Sequence, residues 1–129
     1  MMGHERPPHF QVRRDHGCTI ITARGPEIEF DSKEELYALA EAGGLAPRQI
    51  VLNLEHVVTF KSAMILGVLV QFQRKVERAG GRLKVVCFDP DILSMFHITK
   101  VDLVLDLHEG ERLAIDAFRD DTRSRVAMA

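Results

Sequence analysis

The chain has 129 residues, 46% of them hydrophobic and 28% charged, which suits one domain with one core and no covalent staples. Its 17 basic and 19 acidic side chains leave a formal net charge of −2, so no field for nucleic acid or an anionic membrane arises. Cys18 and Cys87 lie in apolar runs as two core thiols of a reducing compartment, and no apolar leader opens the sequence, so a cytoplasmic protein is expected.

Residues 1–8 are polar and Pro-rich and are expected to form a flexible arm. Phe10 and Val12 alternate with polar residues, Asp15-His16-Gly17 signals a turn, and Cys18 to Ala23 is rich in β-branched residues. The pattern predicts a β-hairpin that ends at Arg24-Gly25-Pro26. Asp31 or Ser32 can cap a helix whose stripe is Leu36, Leu39 and Ala40 and whose stop is Gly43-Gly44. Gln49 to Leu54 predicts a covered strand. A long helix follows from about Ser62 to Ala79, with Ile65, Leu69, Phe72 and Val76 at helical spacing and Gly80-Gly81 as its stop. Arg82 to Phe88 predicts another strand, and Asp89-Pro90 caps a short helix to Phe96. Asp102 to Leu107 predicts a last strand, and Gly110 to Phe118 a last helix. The domain is therefore placed at residues 9–118, with a polar tail over 119–129.

The order β-β-α-β-α-β-α-β-α predicts an α/β fold, with a mixed but mostly parallel sheet of about five strands and about four helices. The longest apolar run, Ala63 to Val70, is too short to span a bilayer. The sequence holds no G-x-S-x-G, HExxH, GxxxxGK[ST] or post-strand GxGxxG, so no enzyme activity, metal or cofactor is expected.

The stretch Ile50 to Phe60 leads straight into Lys61-Ser62-Ala63-Met64-Ile65-Leu66-Gly67-Val68-Leu69. The long helix is followed by Ala79-Gly80-Gly81-Arg82-Leu83, then by Asp89-Pro90-Asp91-Ile92 and by Met95-Phe96-His97-Ile98-Thr99-Lys100-Val101-Asp102. This succession resembles STAS domains of the anti-sigma factor antagonist family over roughly residues 9 to 118. The resemblance implies the STAS fold and a regulatory, transcription-linked binding role. It also implies a partner that is an anti-sigma factor, a serine kinase or a related regulatory protein. In that family a hydroxyl at the start of the central helix is phosphorylated, and a dianion in a packed interface releases the partner. Here Ser62 falls at the family's Asp position, Ala63 at the acceptor position, Met64 at the next Ser and Ile65 at the Gly, and Lys61 stands where an apolar residue is usual.

The implied partner-binding residues are Thr59, Lys61, Ser62, Ala63, Met64 and Val68. Ser62 reads either as a plain N-cap or as a displaced phosphorylation site beside the Lys61 charge. Met64 and Val68 read either as packed under loops or as an adaptable contact patch. Asn53 is expected to satisfy a turn backbone group, His97 to be a loop histidine, and His4, His9 and His16 lack helical metal spacing. A regulatory module is set against a constitutive scaffold that self-associates, and a homodimer belongs to that second reading. Nothing in the sequence specifies a small-molecule pocket.

Overall fold

The computed structural model describes residues 9–41, 49–60 and 62–128. The arm over 1–8, His4, the stop at Gly43-Gly44 and Lys61 lie outside them. The described chain runs β1 Phe10–Asp15, β2 Cys18–Ala23, β3 Glu27–Ile28, α1 Lys33–Glu41, β4 Gln49–Asn53, β5 Thr59–Phe60 and α2 Met64–Arg78. It continues through β6 Arg82–Val86, α3 Pro90–Ile98, β7 Leu107–His108 and α4 Glu111–Met128, with 3₁₀ turns at Phe30–Ser32 and Val101–Leu103.

β1, β2, β4, β6 and β7 form one sheet in that order; β1–β2 is antiparallel and every other pair is parallel. His16 and Gly17 both take positive φ (51° and 80°), which matches the right-handed twist of the hairpin they close. Successive strand residues alternate between two cores. Ile21, Ile50, Leu52, Leu83 and Val85 face α1, α2 and α3, while Cys18, Ile20, Val51 and Val86 face Ala114, Ile115 and Phe118 of α4. The predicted α/β architecture, with a five-stranded mostly parallel sheet and four helices, is therefore the observed one.

The helix signals act locally as expected. Asp89 Oδ2 accepts from the backbone N–H of Asp91 and of Ile92, each at 3.1 Å, with Pro90 inside the first turn. Gly80 sits at φ 85°, its N–H bonds Glu77 O at 3.0 Å, and the Gly81 N–H bonds Val76 O at 2.9 Å. These two bonds close α2 in a Schellman arrangement that a residue with a Cβ would strain. Ser32 donates to Glu29 O at 2.6 Å inside the 3₁₀ turn that precedes α1.

Two elements differ from the sequence reading. Asp102 to Leu107 is not a strand: Val101–Leu103 is a 3₁₀ turn, Leu103 and Val104 are exposed, and only Leu107–His108 pairs with β6. Lys100 at φ 63° turns the chain sharply after α3, and Leu105 drops into the core while Asp106 O accepts from Val85 N at 2.8 Å. The apolar run here marks a turn with one buried plug. The second difference is a two-stranded parallel sheet, β3 with β5, pairing Ile28 with Phe60, whose two-residue strands are too short to show a period. The last helix also runs past Phe118, to Met128.

Candidate functional site: the entrance of the central helix

The strand β4 ends at Asn53, which is fully buried, and its side chain organises the exit. Asn53 Oδ1 accepts from Glu55 N at 2.9 Å, so the expected turn contact forms. Its Nδ2 donates to Glu111 Oε2 at 2.7 Å and to Glu55 Oε1 at 3.2 Å. Leu54 N bonds Val86 O at 2.8 Å, and Leu54 and Val57 are buried, which pins the loop to the sheet. Pro26 O then accepts from the N–H groups of Val58 (2.8 Å) and Thr59 (3.2 Å). Phe60 packs its ring 6.0 Å from Phe96 of α3. The chain thus follows a fixed track as far as Phe60 that leaves Val58 and Thr59 exposed.

At the entrance, Ser62 Oγ accepts from Met64 N at 3.1 Å, a capping contact and one of the two roles the sequence leaves open for it. Ser62 O accepts from Ile65 N, and Ala63 O from Leu66 N, both at 3.1 Å. All three first-turn N–H groups therefore have partners within the chain. Ser62 is half-buried and Ala63 is exposed, in a helical conformation with no side chain beyond its methyl. Met64 is 58% exposed, whereas Val68 is 3% exposed and belongs to the core beside Leu69 and Phe72. Of the two residues held open between packing and contact, Met64 lies on the surface and Val68 forms the floor beneath it.

That floor is part of an open groove of about 420 Å³ between α1 and α2, lined by Lys33, Tyr37, Met64, Gly67, Val68 and Gln71. Burial pushes the Tyr37 phenol up from its ordinary range, and Lys75 Nζ lies 5.1 Å from the centre of its ring. Tyr37, Gly67 and Gln71 were not singled out in the sequence. Gly67 carried the available signal, a glycine inside a helix where nothing lies within 4 Å of an added Cβ.

On the α4 side, Glu111 bonds both Asn53 Nδ2 and the Arg13 guanidinium. The hydrogen bond from Arg13, aided by Asn53 and by the Arg13 charge, outweighs burial and holds the Glu111 carboxyl below its usual range. Arg13 and Glu111 are 98 residues apart, so no local pattern announces the pair. Lys84 is buried, with Nζ at 2.6 Å from Asp106 Oδ2 and 4.8 Å from the centre of the Phe118 ring. His9 Nδ1 lies 3.0 Å from Glu35 Oε2, and the exposed His97 Nδ1 lies 3.1 Å from Asp102 Oδ2. Cys18 and Cys87 are buried free thiols, as read from the sequence. Among the described residues no group of three or more His, Cys, Asp and Glu could hold a metal ion, and no helix is long and apolar enough to cross a membrane.

A mixed sheet with three helices on one face, one on the other, and an exposed helix entrance fed by the central strand defines a class of α/β domain. The STAS domain model matches residues 9–114, and the chain belongs to that family. Its fold is shared with an anti-sigma-factor antagonist (STAS) domain protein from Planctomyces limnophilus. The two are 17% identical, with TM-score 0.71 over 84% of this chain and 96% of that one. An anti-sigma factor antagonist from Mycobacterium paratuberculosis is 20% identical, with TM-score 0.70 over 85% and 92%. The phosphorylated Bacillus cell fate determinant SpoIIAA is 19% identical, with TM-score 0.59 over 84% and 98%. No curated protein matches the chain significantly.

Proposed function

We propose that this chain is a non-enzymatic, cytoplasmic regulatory module that docks an anti-sigma factor or serine kinase through the loop 58–62 and the first turns of α2. The observation that carries the proposal is the entrance itself. Met64 projects an adaptable apolar side chain from the helix start over the groove floored by Val68, and Thr59 and Ala63 are also exposed. Lys61 and Ser62 complete the proposed contact set. Family membership and the anti-sigma factor antagonists among the structural relatives favour a regulatory partner over a substrate.

The test is a calorimetric titration with the purified anti-sigma factor encoded in the same genome, using wild type and Met64→Asp. Tight binding by wild type, lost at least about tenfold in a variant of unchanged Tm, supports docking; a loss of that size is what a modest interface anchor gives. Equal affinities, or no binding by wild type, reject it.

A second reading is a constitutive scaffold that phosphorylation does not switch off. It is favoured by Ala63, which has no hydroxyl, and by Ser62, whose Oγ is already engaged as a cap. Incubation with the kinase and ATP followed by mass spectrometry separates the two. An unmodified chain supports the scaffold, and phosphate mapped to Ser62 supports a switch displaced by one residue.

A further inference from the structure

We infer that the outer edge of β1 pairs antiparallel with β1 of a second copy, centred on Val12, to join two five-stranded sheets into one. This inference does not use the α2 entrance and stands or falls separately from the docking proposal.

The hairpin geometry decides which backbone groups face outward. A two-residue loop makes Asp15 and Cys18 a hydrogen-bonded pair, and pairing then alternates through Arg13–Ile20 and Gln11–Thr22 to Arg24 N bonding His9 O at 3.0 Å. The N–H and C=O of Phe10, Val12 and Arg14 therefore point away from β2. Glu35 Oε1 takes the Phe10 N–H at 3.1 Å. The Val12 and Arg14 groups bond no described residue, and among the described residues β1 has no strand but β2 beside it. Edge strands are ordinarily blunted by proline, by charged side chains, lysine above all, by a bulge or by a covering element. β1 has an unbroken six-residue register with no proline and no lysine, its charges are confined to Arg13, Arg14 and Asp15, and a half-exposed Val12 lies near its middle.

Charge selects the register. Centring on Arg13 or Arg14 would set arginine directly opposite arginine, a destabilising arrangement. Centring on Gln11 gives a shorter overlap. Centring on Val12 sets Val12 against Val12, Gln11 against Arg13, Phe10 against Arg14 and His9 against Asp15, with no like charges opposed. Arg13 is drawn toward α4 by Glu111, so its charge is compensated within its own copy. The two Arg14 Cα atoms lie four residues apart along the ladder, about 14 Å and beyond the screening length of physiological salt. The two Val12 residues exchange both backbone bonds, and each Arg14 N–H finds the Phe10 C=O of the other copy. Phe10 N–H stays with Glu35, which ends the ladder there. Such an edge contact is small, so the dimer is weak and concentration-dependent.

Three variants of the full chain test this. Val12→Cys places two thiols at about 5.5 Å between Cα atoms, within disulfide range, while Gln11→Cys places its pair about 8–9 Å apart, outside it. Mild oxidation should cross-link Val12→Cys at least about tenfold faster than Gln11→Cys. Cys18 and Cys87 are buried and do not compete. Val12→Pro removes an N–H that β2 does not use, so the fold tolerates it and the dimer does not. Sedimentation velocity from about 1 μM to about 0.5 mM should show wild type shifting from monomer to dimer and Val12→Pro remaining monomeric, a range that captures weak association. Equal cross-linking rates, or a wild type that is monomeric throughout, overturn the inference. A peptide of another protein on this edge would appear as that second outcome.

Discussion

Gly67→Ala separates the needs of the fold from those of the surface. Gly67 sits inside α2, exposed, on the floor of the groove beside Met64 and Tyr37, and an added Cβ would meet no atom within 4 Å. Replacing glycine by alanine in an unstrained helix interior stabilises by about 0.5–1 kcal/mol, because the unfolded chain loses freedom and the helix gains propensity. With the entropy of unfolding typical for 129 residues, that gain raises Tm by about 2–4 °C. Urea unfolding should show a higher midpoint at unchanged slope, since buried surface does not change. The methyl also fills part of the groove, so affinity for the proposed docking partner should fall while stability rises. A destabilised Gly67→Ala would refute the reasoning, because it would mean the space over this helix turn is already occupied in the folded chain.

Ser62→Ala removes the acceptor of the Met64 N–H and should cost about 1 kcal/mol by chemical denaturation; an unchanged midpoint would show that the cap contributes nothing. Glu111 has a depressed carboxyl pKa, so its stabilisation is complete above the unfolded value of about 4.3 and is lost as pH falls through the lower folded value. Glu111→Gln should therefore reduce stability near neutrality and flatten the acid limb of the stability–pH curve below pH about 4.3; parallel limbs for both proteins would contradict this. Burial, the largest influence on both thiols, pushes Cys18 and Cys87 up. Alkylation at neutral pH should be slow until denaturant is added, and fast labelling of the native protein would contradict their place in the core.

The sequence shows most clearly what depends on neighbours close in the chain. The Asp15-His16-Gly17 turn, the Asp89-Pro90 cap, the Gly80-Gly81 stop and the Ile65–Leu69–Phe72–Val76 stripe each appear where local chemistry places them. Leu103-Val104-Leu105 misleads for the same reason. An apolar run records polarity and cannot tell a strand from a turn that buries one residue and bonds Gln73 Nε2 through Val104 O at 2.8 Å. The β3–β5 pair and the Arg13–Glu111–Asn53 network join distant residues, and only tertiary geometry brings them together. At the α2 entrance, the sequence left Ser62 open between a plain N-cap and a displaced phosphorylation site, and its Oγ accepts from Met64 N. The sequence could not decide between Met64 and Val68, which are one helical turn apart and differ only in which neighbours cover them.

Hydrogen exchange on the chain, free and saturated with the proposed anti-sigma factor partner, reads the proposed contact surface without altering a residue. Slowed exchange concentrated in the peptides spanning 58 to 68 is the predicted result. Protection confined to α4 or to the α3–β7 turn, with the 58 to 68 peptides unchanged, would contradict a partner seated at the mouth of the central helix.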